Sequence, residues 1–350
     1  MTEGPSIGML TWTSPVPTGG NVYDDRLADE LVAAGVVFRR HRVRGTWPSD
    51  SERHRGEVAR ALRSQPVWLI DSIVACTVPD LVVEAAHRGH PPAILLHSLL
   101  SAEVGLSDAD RLQYQQLEAA ALRAARLVIT TSQWTADDLR RRYGVTETVV
   151  APPGVDRAAL VTGTPEGSRL LCLASLTPTK DQLGLVVALS RISDLPWSAQ
   201  LVGGDLVCPD YTAAVRDAIR QRRLSNRVTI TGPRTGAELE QIWAQTDLLV
   251  LTSRSETYGM VVAEALSRGI PAIVSSGTGA AEALGHVDGK APGIAVPPGD
   301  PEATAAAVLG WLTDPRLRER WRITARARRD TLTPWARCAS LIVTAMIGRT

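Results

Sequence analysis

The stretch DLLVLTSRSETYGMVVAEALSRGIPAIVSS, residues 247–276, sets an apolar run before a glycine-containing turn, then a helical pattern, then a second apolar run. Short, continuous apolar runs suit strands buried on both faces of a parallel sheet. The stretch therefore predicts strand, loop, helix, strand. A strand that passes through a turn into a helix N-terminus is a natural phosphate site, because unpaired N–H groups and the helix dipole favour an anion. Two carboxylates, Glu256 and Glu264, flank Gly259 and would repel that anion. At roughly 100° per residue they would not share a face even within one helix. Glu256 is accordingly placed in the loop and Glu264 one to two turns into the helix.

The same alternation runs outward in both directions. Strands are predicted at residues 7–12, 67–71, 93–97, 127–131 and 148–151, and again at 169–175, 199–203, 227–232, 247–253, 271–276 and 293–296. Helical patterns fall between them, among them residues 24–35, 117–127, 134–144 and 213–224. Strand and helix in turn indicate βαβ units and a doubly wound α/β architecture. The stretch PPGVDRAALVTGTPEGS (152–168) has no period and is rich in Pro, Gly and Thr, so it reads as a linker. We place one Rossmann-like domain at 1–162, a second at 163–332, and at 333–350 a terminal helix, started by Thr333-Pro334, that returns to the first.

With 350 residues, 44% of them hydrophobic, the chain can bury two cores. Lys plus Arg number 38 against 37 Asp plus Glu, a balance that argues against a general nucleic-acid binder. The longest apolar runs fall short of the roughly 20 residues of a membrane span, and the start lacks a basic segment before an apolar one. A cytoplasmic protein without integral membrane contact is expected. Cys76, Cys172, Cys208 and Cys338 form no CxxC pair, and the six histidines no HxxxH pair, so reduced thiols and no metal site are expected.

Ligands of such sheets bind beyond the carboxyl ends of the strands, which nominates particular residues. Gly19 and Gly20 lie between the first strand and its helix, where backbone can approach a ligand or simply turn, and Asn21 could cap that helix. His97 closes a strand, as a structural residue or a site residue. Lys180 precedes a helix in SLTPTKDQ, where an ammonium can balance phosphate charge. It is one of two lysines, with Lys290, in a chain whose other basic residues are all Arg. Gly203, with Gly204 and Asp205, ends a further strand, as do Gly232, Pro233 and Arg234. Each group lines a ligand or only turns the chain. The basic run VVFRRHRVRG (36–45) reads as a solvated strand edge before it reads as a surface for an acidic partner.

Taken in order, these motifs resemble the retaining family-4 (group 1) glycosyltransferases of GT-B fold, including actinobacterial members. SETYGMVVAEALSRG with the later GAAE is similar to that family's E-x7-E region. TGGNVYDDRLADELVAAG resembles its first glycine loop, PPGVD the passage between domains, SLTPTKDQ its lysine loop and VPPGDPEATAAAV a late helix. The resemblance implies two Rossmann-like domains facing across a cleft and transfer of a hexose-type sugar from a nucleoside diphosphate, UDP favoured, to a hydroxyl of a small-molecule acceptor. The acceptor would lie on the side of the first domain. Glu264 would take ribose hydroxyls, Glu256 a donor-sugar hydroxyl, and amides of Thr257, Tyr258, Gly259 and Met260 phosphate or sugar. Lys180 would neutralise the diphosphate, His97 would lie beside the transferred sugar, Gly19 and Gly20 would face phosphate or acceptor, and Gly232 to Arg234 would line the base pocket. No metal and no cofactor is implied beyond the sugar nucleotide itself. One position departs from the pattern: Ser175 stands where the family carries an Arg, so Arg254, Arg234 or Lys180 with helix dipoles must hold that charge.

Rival readings differ in what they consume. An epimerase would convert the donor with no acceptor, and a phosphorylase would need a pyridoxal-phosphate lysine, for which Lys290 in VDGKAPG is poorly placed. A non-catalytic partner of the same fold would bind without turnover. A lipid or polyol-phosphate acceptor is the alternative to a soluble natural product or cofactor.

Overall fold

The computed structural model describes residues 6–13, 18–45, 47–48, 52–64 and 67–348. Its chain divides into two compact units, Met1–Gly154 with Thr333–Thr350, and Val155–Leu332. Each is a six-stranded, wholly parallel sheet with helices between its strands.

In the first unit the strands are β1 (Ser6–Trp12), β2 (Val37–Val43), β3 (Trp68–Asp71), β4 (Ala93–Leu96), β5 (Leu127–Thr130) and β6 (Thr148–Val150), in the order β2-β1-β3-β4-β5-β6. β3, β4 and β5 are buried at every residue, which is why they are continuous apolar runs in the sequence. β2 is the exception. It pairs only with β1 and leaves most of VFRRHRV exposed or half-buried, with Arg40 and Arg42 both reaching Asp25, at 2.5 and 2.7 Å. An edge strand with charged side chains is blunted against pairing with another chain.

The second unit holds β7 (Arg169–Leu173), β8 (Ser198–Val202), β9 (Val228–Gly232), β10 (Leu248–Leu251), β11 (Ala272–Ser275) and β12 (Gly293–Val296), ordered β12-β11-β10-β7-β8-β9. Successive side chains point to opposite faces, and each face has its own core. Leu170, Cys172, Leu201, Leu248, Val250 and Ile273 pack on one side, and Leu171, Val202, Leu249, Leu251, Ala272 and Val274 on the other. Burying such side chains stabilises by about 1.5–3 kcal/mol each.

The division falls at Gly154, earlier than the boundary read at residue 162. Residues 155–168 have no strand or helix but are tied to the second unit. The Val161 N–H donates to the Arg268 carbonyl at 2.9 Å, and the buried Asp247 accepts from the Thr164 N–H at 2.6 Å and the Arg169 N–H at 2.9 Å. Trp311 adds a bond from its indole N–H to the Gly167 carbonyl at 2.7 Å. The terminal helix Trp335–Ile347 belongs to the first unit and lies against the helix Gly19–Ala33. There the Tyr23 hydroxyl donates to the Ala151 carbonyl and lies 2.9 Å from the Cys338 sulfur. Among the described residues all four cysteines are free, and no helix is long and apolar enough to cross a membrane.

Candidate active site

The second sheet reverses its order between β7 and β10, and in such sheets the crevice beyond that pair of strand ends is where ligands bind. The loop after β7 ends in Lys180, and the loop after β10 runs from Thr252 to Gly259. Lys180 Nζ meets Glu256 Oε2 at 2.6 Å, across 76 residues of sequence. The Arg254 N–H donates to the Thr179 carbonyl at 2.8 Å, and the Arg254 guanidinium lies 3.2 Å from Asp181. Arg254 is thus the arginine held beside Lys180. Arg234 instead turns to its neighbour Pro233, with Glu238 at 3.7 Å.

Gly259 adopts φ 83°, a left-handed conformation open to glycine, and stands as N-cap of the helix Met260–Ser267 with no side-chain cap bond. In the first turn the Val262 N–H donates to the Gly259 carbonyl at 2.8 Å, and the amides ahead of it have no side-chain cap. Thr257 is half-buried, Tyr258 buried, and Met260 opens the helix. Glu264 sits in the second turn, half-buried. Burial raises its carboxyl pKa above the ordinary range, opposed by Arg268 and reinforced by Glu240 and Asp156.

Two glycines set how closely these loops meet. The Gly279 N–H, at the start of the helix Gly279–Leu284 that follows β11, donates to the Glu256 carbonyl at 2.7 Å, and a Cβ on Gly279 would lie 2.0 Å from the Thr257 carbonyl oxygen. Gly203 is as close to Ala174, whose carbonyl a Cβ would meet at 2.0 Å. Gly203 also donates to the Gly232 carbonyl at 3.1 Å, which ties the ends of β8 and β9 together. Gly279→Ala is expected to force the loops around Glu256 apart and to cost about 1–3 kcal/mol, as overpacking does. A melting curve superimposed on that of the wild type would refute this.

The first sheet reverses between β1 and β3, and here too the strand ends converge. Gly19 and Gly20 begin the helix Gly19–Ala33. The cap is Thr18 and not Asn21: Asn21 is the third helical residue and completes a capping box with Thr18. Residues 14–17 at the front of this loop lie outside the described residues. Gly20 backs the His97 ring, which a Cβ would meet at 3.1 Å. His97 follows β4, its side chain 8% exposed, with Nε2 2.8 Å from Asp24 Oδ1 and 3.9 Å from Asp71 Oδ2. Tyr23 meets the same ring edge-on at 5.1 Å. Asp24 and Asp71 are buried, and the sequence reading missed both as partners of His97. Their one signal is position, an acid inside an amphipathic helix and an acid closing an apolar strand.

The structure thus gathers Lys180, Glu256, Gly259, Gly203 and Arg254 around one switch point, with Gly232, Pro233 and Arg234 at the end of β9. It gathers Gly20, Asp24, Asp71 and His97 at the other. Known proteins match the two parts of the chain separately. Residues 162–328 match the family described as "Glycosyl transferases group 1", and residues 22–159 match "Glycosyltransferase Family 4". The chain is 26% identical over 367 residues to the D-inositol 3-phosphate glycosyltransferase of Kineococcus radiotolerans, covering 86% of this chain and 83% of that one. It is 28% identical to the protein of the same name from Jonesia denitrificans, over 53% of this chain and only 47% of that protein's length. Sucrose-phosphate synthase from Thermosynechococcus elongatus superposes with a TM-score of 0.81 at 20% identity, over 97% of this chain and 98% of that one. Anabaena HepE in complex with UDP-glucose gives 0.76 at 19% identity, over 97% and 99%. At those identities the structures speak to fold, and the fold is GT-B.

Proposed function

Because the chain belongs to the family-4, group 1 glycosyltransferases, we propose that it moves a hexose-type sugar from a nucleoside diphosphate, UDP favoured, to an acceptor hydroxyl with retention at the anomeric carbon and without a metal. The observation that carries this reading is the Lys180–Glu256 pair at the switch point of the second sheet, next to an uncapped helix start. A lone phosphate would have no use for Glu256. A phosphate flanked by hydroxyls uses both charges.

Lys180 and the amides from Thr257 to Met260 then take the diphosphate. Glu256 takes a hydroxyl of the donor sugar and Glu264 the ribose, while Gly232 to Arg234 border the base. In the first unit, His97 meets the transferred sugar. Negative charge grows on the departing diphosphate as the bond to the sugar breaks, so fixed cations and N–H groups there lower the barrier most. The acceptor hydroxyl attacks from the leaving-group side, and the departing phosphate oxygen receives its proton. No carboxylate acts as nucleophile. UDP is supported by the sugar nucleotide named with HepE. The acceptor is read as a small molecule, a soluble natural product or cofactor. The name of the Kineococcus relative favours a polyol phosphate as the second reading.

Thermal shift with UDP-, GDP- and dTDP-sugars is expected to single out one nucleotide, and that donor should hydrolyse slowly when no acceptor is present. Binding with no hydrolysis and no transfer to any acceptor would overturn the reading in favour of a non-catalytic partner. Conversion of the donor to an epimer would do so in favour of an epimerase.

A further inference from the structure

Asp24 and Asp71 are nine-tenths or more buried, and both flank the same imidazole nitrogen. Asp71 spends Oδ1 on the Ile73 N–H at 2.7 Å, as cap of the helix Ser72–Thr77. Asp24 spends Oδ1 on His97. The second oxygen of each carboxyl is buried and has no hydrogen-bond partner. One ligating atom from each of the three residues lies within 4.8 Å of the other two.

Two carboxylates this close, away from water, do not both stay ionised. A proton on Asp71 removes one charge and turns an orphan acceptor into a donor with the Asp24 carboxylate beside it. The remaining charge on Asp24 is then balanced by a protonated imidazole. We propose that Asp24 and Asp71 are positioning residues for His97: Asp24 fixes the ring through its Nε2–H, and Asp71 holds the proton that lets Asp24 and His97 form an ion pair in the interior. This rests on the role given to His97 above.

The titration tendencies agree with the geometry. Burial, and then the charge of Asp24, push Asp71 up to about 7. Burial alone would lower the His97 value, but the charge and hydrogen bond of Asp24, together with the charge of Asp71, raise it on balance. The neighbouring titratable groups are Tyr23 on the helix Gly19–Ala33 and Cys76 on Ser72–Thr77. Burial raises both well above their ordinary values, so they stay neutral. Beyond Tyr23, burial also raises Cys338. The same three residue types would suit a metal, but the contact with Asp24 occupies the nitrogen that faces both carboxyls.

Nuclear magnetic resonance of histidine-labelled full chain tests this, with His97 assigned through His97→Gln. Both ring nitrogens of His97 should carry protons at about pH 7, above the usual midpoint of a histidine. Asp24→Asn should move that midpoint down by about one pH unit or more. Asp71→Asn, which copies a protonated carboxyl, should leave the His97 signals at about pH 6 in place. A neutral His97 ring in the wild type would overturn the proposal, and that spectrum decides the matter even if Asp24→Asn does not fold. A stoichiometric metal in the purified protein that Asp71→Asn loses would overturn it in favour of a metal site. The spectra need no substrate, so the catalytic role of His97 fails separately, by unchanged turnover in His97→Gln. With that role intact, Asp24→Asn should lower kcat with donor KM within a few-fold and alter the pH–rate profile. An unaltered profile would count against the positioning role.

Discussion

Lys180→Ala is expected to lower turnover by about 10²–10³-fold, the usual cost of removing one fixed donor from the site where charge develops. The structure gives the lysine no ready substitute. Arg254 is beside it, but its guanidinium is held against Asp181 and its N–H against the Thr179 carbonyl. Arg234 turns away at the end of β9. Ser175, where the family carries an arginine, offers only a hydroxyl. The substitution should leave the fold standing, at the cost of leaving Glu256, 12% exposed, without its cation. Turnover within a few-fold of wild type, at an unchanged melting temperature, would remove Lys180 from the site. Lys180→Arg should restore only part of the rate, since a planar guanidinium does not reproduce a compact ammonium.

The second large effect separates the two glutamates. Glu264→Gln should chiefly weaken nucleotide binding, whereas Glu256→Gln should chiefly slow transfer, each by about tenfold to a hundredfold, as for the loss of a charge-assisted hydrogen bond. Equal losses of nucleotide affinity in both would undo the division. Glu264 adds a dependence on pH. Burial holds its carboxyl above the ordinary carboxylate range, while hydroxyl donors favour the ionised form. Binding therefore selects the charged state and releases a proton wherever the free carboxyl is protonated. Nucleotide affinity should fall as the solution is acidified through that raised range and level off above it. In Glu264→Gln the slope should vanish. Calorimetric titration in two buffers of different ionisation enthalpy counts the proton directly.

What could be read without a structure follows from how the sheets bury their strands. Central parallel strands such as Ala93–Leu96 and Leu248–Leu251 are covered on both faces, so they announce themselves as unbroken apolar runs. β2 does not, since an edge strand can carry FRRH with Arg39 and His41 exposed and Phe38 and Arg40 only half-buried. The loop residues were legible because glycine and lysine have restricted uses at helix starts. Pairings were not. Lys180 and Glu256 are 76 residues apart, and His97 and Asp24 are 73 apart, so only the strand order brings each pair together. Asp71 is a helix cap. Its second role depends on an oxygen left over once the capping bond is made.

The terminal helix has a bearing on how the molecule is made. Residues 335–347 complete the first unit, with Trp335 edge-on to Tyr23 at 5.4 Å and Cys338 against the Tyr23 hydroxyl. Tyr23 in turn packs on the His97 ring. A ribosome delivers these residues only after the whole of Val155–Leu332 has emerged, so the half of the chain translated first is the half finished last. Until then the floor beneath His97 lacks its support. A nascent chain can have a complete second sheet before the aromatic stack that steadies the imidazole exists.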